Sequence, residues 1–296
     1  MTKKFKSGFV AIVGMANVGK STLLNALAGQ KIAIVSDKPQ TTRNRILAIY
    51  NDKDCQIVFT DTPGMHKPHN KLGEVMVKSV SEAINDVDIV VFTADATKKI
   101  TASERELIAE IEKSGADKLL VINKTDLVKK EELLPIIADY SSLGDFKAIV
   151  PMSAKTGDGV EILLQELKQN LPEGPKYYDD ESVTDQQERQ IAAEIIREKL
   201  LRFLDKEVPH GIAVEIEKMQ ELDSITKIYA AIYCEKASHK GIIIGKNGEM
   251  LKKVATRARY DIEKMLDKKV YLELWVRVKD DWRNSEKMIK DFGFEI

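Results

Sequence analysis

Nine consecutive residues, Gly14-Met15-Ala16-Asn17-Val18-Gly19-Lys20-Ser21-Thr22, carry the most specific chemistry in the chain. The glycines free the backbone to wrap, so successive N–H groups and a helix N-terminus converge on the phosphates of a nucleotide. Lys20 adds a point charge to the β- and γ-phosphates, and the Ser21 hydroxyl is placed to ligate Mg²⁺. Such a loop must lie between a strand and a helix. Residues 9–13 are a short, β-branched apolar run, and Leu23, Leu24, Leu27 and Ala28 recur at helical spacing, so that setting is present. The loop implies a nucleoside triphosphate and does not choose the base.

Three later stretches complete the set. Residues 31–44 are a polar, Pro-containing connection that includes Gln40-Thr41-Thr42-Arg43. A switch segment there would bring a hydroxyl to the metal when a γ-phosphate is present; Thr42 is assigned that role, with Thr41 as the fallback. Strand-like runs at 46–50 and 56–60 follow, and the second delivers Asp61-Thr62-Pro63-Gly64. Asp61 at a strand end can hold Mg²⁺ through water, and the Gly64 N–H can meet a γ-phosphate.

A buried strand at 118–122 ends in Asn123-Lys124-Thr125-Asp126. The Asp126 carboxylate can accept from the N1–H and exocyclic amine of guanine, whereas adenine offers neither donor. Sites built this way discriminate by factors of roughly 10⁴ or more. Asn123 can tie the loops together and bond the base, and the Lys124 stem can cover the base's face. After a strand at 147–150, Ser153-Ala154-Lys155 is either a backbone contact to guanine O6 or a plain β–α turn.

Strands alternating with helices near 70–87, 102–113, 131–140 and 159–171 predict an α/β fold with a doubly wound, mostly parallel sheet and ligands at the strands' C-terminal ends. Every stretch named so far falls at such an end. The composition changes after Leu171. Residues 172–184 are a Pro/Gly-containing acidic linker, dividing the chain into domains at 1–171 and 185–296. The second begins with a helix near 185, capped by Thr184 or Asp185, followed by strands at 213–219 and 226–234.

Seven Lys or Arg and one acid, Glu249, lie between Lys236 and Arg259, a basic patch that the overall net charge of -1 conceals. Within it, Lys240-Gly241-Ile242-Ile243-Ile244-Gly245-Lys246-Asn247-Gly248 joins two helix ends by a G-x-x-G turn. The glycines let a nucleic-acid backbone come close, Lys246 faces its phosphates, and an apolar groove containing Ile244 can receive unstacked bases. Lys252, Lys253 and Arg257 extend the basic face. A helix at 250–266, a strand at 270–278 and a short helix at 280–292 close the chain, giving a smaller α+β domain.

Hydrophobic residues at 43% and charged residues at 31% argue against disorder. No apolar run approaches the roughly 20 residues of a membrane helix. The basic residues 1–6 run straight into the first strand, without room for a signal-peptide core. Cys55 and Cys234 fit no metal spacing, and a reducing, cytoplasmic setting is expected.

Residues 8–171 resemble a Ras-type P-loop GTPase of the translation-factor-related class, and residues 185–296 resemble a type II KH domain. Together they resemble the bacterial Era family, specifically through Asn17, Gln40-Thr41-Thr42-Arg43, Asp61-Thr62-Pro63-Gly64 and His239-Lys240-Gly241-Ile242-Ile243-Ile244-Gly245-Lys246-Asn247-Gly248. The resemblance implies GTP and GDP as ligands, GTP hydrolysis with Lys20, Thr42, Gly64 and Asn17 in catalytic roles, and RNA binding near the 3′ end of small-subunit ribosomal RNA. It further implies a part in 30S subunit biogenesis, with a loose membrane association sometimes attributed to the family. Met65 stands where Ras-like enzymes carry the glutamine that orients water, so slow intrinsic turnover is expected. Asn17 resembles the asparagine of GTPases that use K⁺ in place of an arginine finger; the alternative is a loop-stabilising role. The rival functions are an ATP-dependent kinase, an RNA-binding module with a vestigial or regulatory nucleotide site, and a membrane-associated cell-cycle GTPase.

Overall fold

The computed structural model describes residues 4–294, which fall into two compact units: 4–67 with 76–185, and 68–75 with 186–294. In the first, the order is β1 (Lys6–Val13), α1 (Lys20–Ala28), β2 (Ile46–Asn51), β3 (Cys55–Asp61), α2 (Lys71–Asn85), β4 (Ile89–Asp95), α3 (Ala102–Glu112), β5 (Asp117–Asn123), α4 (Lys130–Ser141), β6 (Ala148–Pro151) and α5 (Val160–Asn170). These strands form one six-stranded sheet in the order β2-β3-β1-β4-β5-β6. Only β2 runs antiparallel to its neighbour, because a tight turn joins it to β3. The strand order reverses beside β1, so the loop after β1 opens at the topological switch point, where α/β sheets bind ligands.

The central strands are buried on both faces, as their unbroken apolar sequences require. One core layer packs Leu23, Leu24 and Leu27 of α1 and Leu163, Leu164 and Leu167 of α5 on the sheet; the other packs Val80, Ala83 and Ile84 with Leu107, Ile108 and Ile111. Thr101 caps α3 with a reciprocal bond pair to Glu104.

Residues 172–184 are not a free linker. The Gln56 side chain, fully buried, accepts from the Tyr177 and Tyr178 N–H groups at 2.7 and 3.0 Å and donates to Tyr178 O at 2.8 Å. Asn51 Nδ2 donates to Asp180 O and Ser182 O, Ile49 N donates to Val183 O, and the Tyr177 ring lies 4.8 Å from that of Phe9. The Pro/Gly composition keeps this stretch out of regular structure, yet it straps β1, β2 and β3 of the first unit.

The second unit contains α6 (Glu188–Phe203), β7 (Ala213–Glu221), β8 (Ile225–Cys234), α7 (Ala237–Ile244), α8 (Glu249–Leu266), β9 (Lys269–Val278) and α9 (Glu286–Asp291). Its three-stranded sheet has the order β7-β8-β9, with β7–β8 antiparallel and β8–β9 parallel. One face packs Ile228, Ala230 and Ile232 against Ile196 and Leu200 of α6 and Val254, Ala258 and Ile262 of α8. Two expected helix limits shift. The helix placed near 185 starts at Glu188 with Gln187 as its cap, because the Thr184 hydroxyl donates instead to Leu47 O at 2.7 Å. The helix placed at 280–292 breaks at Ser285, which caps α9, and leaves a separate 3₁₀ turn at Trp282–Asn284.

Candidate functional sites

In the first unit the loop after β1 closes on its neighbours so tightly that side chains are excluded. A Cβ on Gly14, whose φ is +153°, would lie 2.4 Å from Thr93 O, and one on Gly19, with φ +101°, would lie 2.3 Å from Asn123 Nδ2. Gly64 sits against the loop in the same way, its Cβ position 2.7 Å from Ala16 Cα, and Met65 N donates to Gly14 O at 3.1 Å. Ala16, Gly19, Ser21, Thr42 and Gly64 line one small concavity together. Val18 and Thr62 are buried, the Thr62 hydroxyl donating to Ile12 O at 2.9 Å, and so they brace the loops. Pro63 carries the backbone between Thr62 and Gly64.

Lys20 is buried, and its ammonium donates to Gly14 O at 3.2 Å and Met15 O at 3.1 Å. Burial lowers its pKa to about 8, opposed by the Asp61 charge. Asp61 Oδ2 accepts from Ser21 Oγ at 2.7 Å and Thr42 Oγ1 at 2.9 Å, and the two hydroxyls are 2.7 Å apart. Asp61 Oδ1 is buried with no hydrogen-bond partner among the described residues. Burial raises the Asp61 pKa, with the Lys20 charge and the two hydroxyl donors pulling the other way. Three hard oxygens converging beside an unsatisfied buried carboxylate oxygen suit Mg²⁺. Thr41 is elsewhere, bonded to Lys38 O at 2.6 Å, so Thr42 is the threonine that joins this cluster.

Asn17 has φ +65°; its Nδ2 donates to Asp37 O at 2.7 Å in the connecting segment, and its main-chain carbonyl accepts from Lys124 Nζ at 2.7 Å. At the base end, Asn123 Nδ2 donates to Val18 O at 2.8 Å and Asn123 Oδ1 accepts from Ala154 N at 2.9 Å, tying three loops. That bond occupies the Ala154 N–H, a candidate for guanine O6, while Lys155 is exposed. Asp126 is exposed rather than buried, and Ser153 Oγ donates to its Oδ1 at 2.7 Å, which orients the carboxylate. Lys124 is further anchored by Asp95 at 2.6 Å.

One pairing escapes a reading by motif, although Gln40 itself lies within Gln40-Thr41-Thr42-Arg43. Gln40 Nε2 lies 3.1 Å from His66 Nε2, and His66 Nδ1 lies 2.9 Å from Gly64 O. An amide nitrogen can only donate, so Nε2 accepts, the ring proton sits on Nδ1, and Nδ1–H donates to Gly64 O. The pair thus links the segment carrying Thr42 to the peptide of Gly64. Met65 packs its thioether on the core beside α2. Gln40 and His66 are 26 residues apart, in stretches without periodicity, so no sequence signal joins them.

In the second unit, Lys240 and Ile244 line a cavity of about 420 Å³, the larger concavity of the two, whose other walls are Glu217 of β7, Leu251 and residues 274–277 of β9. The turn itself uses left-handed backbone at Asn247 (φ +52°) and Gly248 (φ +79°), and Gly245 (φ +75°) packs on Met250. Gly241, Lys246, Lys252 and Arg257 are exposed. Lys253 turns away: its ammonium lies 4.4 Å over the Phe203 ring of α6. The β9 wall was not foreseen, because its apolar alternation reads as core.

Comparison with known proteins agrees with this geometry. Residues 9–124 match the model of the family described as 50S ribosome-binding GTPase, and residues 207–283 match that of the KH domain. GTPase Era of Ruminiclostridium cellulolyticum is 52% identical over 292 residues, covering 98% of each chain, and that of Clostridioides difficile is 53% identical over 98% of this chain and 99% of its own. A crystal structure of Era in complex with MgGDPNP and nucleotides 1506–1542 of 16S ribosomal RNA superposes with a TM-score of 0.96 at 38% identity, covering 99% of this chain and 100% of that one. An Aquifex aeolicus Era variant bound to GDP.AlF4⁻ gives the same TM-score and coverage.

Proposed function

The chain belongs to the Era family of GTPases, and from that premise we propose that it couples GTP hydrolysis to the binding of single-stranded RNA near the 3′ end of small-subunit ribosomal RNA, in 30S biogenesis. The observation that carries the nucleotide half is the Ser21–Thr42–Asp61 cluster, which joins the phosphate loop, the connecting segment and the end of β3 in one set of bonds. Ser21, Thr42 and Asp61 would hold Mg²⁺, directly or through water, and the ion would neutralise charge on the phosphates. Lys20, together with the N–H groups of residues 14–22, would bind those phosphates. Gly64 would present its N–H to the γ-phosphate, with Gln40 and His66 fixing that peptide. Asp126 would take the guanine edge, Asn123 and Ser153 would hold the loops around it, and the Lys124 stem would cover its face.

Hydrolysis is in-line attack of water on the γ-phosphate. Met65 offers no hydrogen bond to that water, which supports a slow rate in the absence of a partner. K⁺ is proposed as a further cofactor: the Asn17 amide nitrogen is held by Asp37 O, turning the amide oxygen the other way as a ligand. Turnover should rise in K⁺ over Na⁺; equal rates, or no loss on Asn17→Ala, would remove this role.

The RNA half rests on the exposed G-x-x-G turn beside a cavity with a cationic rim. A switch that changes RNA affinity with nucleotide state must be reciprocal, RNA shifting nucleotide affinity by the same free energy. The test is GTP and ATP turnover with and without small subunits or their RNA, alongside RNA dissociation constants in GTP analogue and in GDP. Guanine-selective turnover that responds to RNA is expected; ATP turnover would favour a kinase, and identical RNA affinities would leave only kinetic coupling. A cytoplasmic setting fits the absence, among the described residues, of any helix long and apolar enough to cross a membrane. A peripheral membrane contact would fall to the basic N-terminus, of which residues 1–3 lie outside the described residues.

A further inference from the structure

The second unit leaves a large aromatic residue uncovered beside its RNA-binding turn. Trp275 of β9 is 39% exposed, and it lines the same cavity as Lys240 and Ile244. Its indole is offset-stacked on Tyr229 of β8, with ring centroids 6.0 Å apart and planes inclined by only 15°. Tyr271 leans on the same Tyr229 ring at 6.0 Å and donates its hydroxyl to Glu273 at 2.9 Å. Two tyrosine rings, one from each strand, therefore hold the indole plane in place, Tyr271 by way of Tyr229.

A cross-strand aromatic pair needs no ligand to exist, and stacking alone stabilises a sheet. Three further observations point outward. The strand order puts β9 at the sheet edge, so the cavity, walled by Lys240 and Ile244 of α7 and Leu251 of α8 on the two flanks of the turn, runs over that edge to Trp275. Its one lining carboxylate, Glu217, is engaged by both guanidinium nitrogens of Arg277, at 2.5 and 3.1 Å, which leaves Lys240 as the uncompensated charge in the wall. The volume, about 420 Å³, lies in the range that takes a nucleotide-sized group. A preordered aromatic ring beside net positive charge, continuous with a turn that admits a phosphate backbone, is the arrangement used for unstacked bases.

We infer that Trp275 is a base-stacking residue that extends the RNA site of the Gly245–Gly248 turn across the edge of β9 by one further nucleotide. This rests on the second unit binding single-stranded RNA. Stacking uses the π-face that every base carries, so the added subsite is tolerant of base identity and sensitive to removal of the base.

The chain has two tryptophans, and the other, Trp282, is fully buried with its Nε1–H donated to Gly211 O at 3.0 Å. Emission changes on RNA binding therefore report Trp275. The experiment titrates the full chain with RNA spanning nucleotides 1506–1542 of the 16S molecule, and with a series of that RNA carrying one abasic site at each single-stranded position. The expected result is quenched emission in the wild type, absent in Trp275→Phe. Trp275→Ala should bind about 30-fold more weakly, the middle of the range for one stacked base, and Trp275→Phe should recover most of the affinity. One abasic position should weaken the wild type by the same factor and leave Trp275→Ala unaffected, a closed double-mutant cycle.

Equal affinities of wild type and Trp275→Ala, with unchanged emission, would overturn the inference while leaving RNA binding intact. Loss of self-association in Trp275→Ala without loss of RNA affinity would reassign the face to a second copy of the chain. The abasic series on the wild type decides even where a variant folds poorly: no position of the stated sensitivity overturns the inference. Absence of any RNA binding by the wild type would instead overturn the parent reading.

Discussion

The nucleotide site and the RNA cavity differ in how complete they are within the chain itself. Around the phosphate loop, Cβ positions on three glycines fall 2.3–2.7 Å from neighbouring atoms, and Lys20, Thr42 and Asp61 are almost wholly buried among polar partners. Around the RNA turn only Gly245 is packed so closely, its Cβ position 2.7 Å from Met250 Cβ, whereas Gly241 and Gly248 meet nothing within 4 Å, and Lys240, Lys246 and Lys252 are exposed. The first site is assembled by the protein's own packing. The second supplies charge, open backbone and an aromatic surface whose contacts come from outside. Damage to the first should therefore show in nucleotide chemistry and stability together, whereas damage to the second should weaken RNA binding and leave GTP turnover without RNA unchanged.

The largest effect is expected at the base. With Asp126 taking the guanine edge as proposed, Asp126→Asn sets a donor against guanine's own donors, which should cost GTP on the order of 10³–10⁴ in kcat/KM. Xanthosine triphosphate, which has a carbonyl in place of the exocyclic amine, should recover much of that loss. Competition measurements with the four common triphosphates and xanthosine triphosphate would check this. Undiminished GTP turnover would move base recognition off Asp126 and weaken the claim that the site is complete in the chain.

The strap is the next test, since it belongs to the finished half. Gln56→Ala removes the acceptor of two backbone N–H groups and the donor to Tyr178 O, so unfolding should become easier by about 2 kcal/mol. Thermal melting of the full chain would show it; an unchanged midpoint would return residues 172–184 to being a linker. This is also where the sequence was least legible. Proline, glycine and acids in 172–184 forecast correctly that no helix or strand forms, but composition carries no information on what an irregular segment lies against.

The phosphate and base motifs were legible for the opposite reason. Gly14 to Thr22, Asp61 to Gly64 and Asn123 to Asp126 are each contiguous, and each ends a strand, so alternation alone brought them to one side of the sheet. His66 and Gln40 belong to that side too, yet their bond joins two loops, and only coordinates reveal it. His66→Ala should remove about 1 kcal/mol of support from the Gly64 peptide, a drop of roughly fivefold in kcat with KM for GTP little changed. Gln40→Ala should do the same, and the double variant should lose no more than either single one, because both break one chain of bonds. Additive losses would mean the two residues act separately.

The smallest effect separates the two regions most cleanly. Gly241 lies within α7, has open space where a Cβ would go, and shows no left-handed backbone. Alanine there lowers the entropy cost of helix formation, so Gly241→Ala should stabilise the free chain by about 0.5–1 kcal/mol. On the proposed reading the RNA backbone approaches this glycine, so RNA affinity should fall several-fold while GTP turnover without RNA is unchanged. Melting curves with and without RNA should then cross: the variant melts higher alone, and its advantage shrinks or reverses as RNA is added, since ligand stabilises by RT ln(1 + [L]/Kd). No packing reason inside the protein asks for glycine at this position. A variant that is both less stable and equally good at binding RNA would show that such a reason exists, and the RNA turn would then be built in the same manner as the nucleotide site.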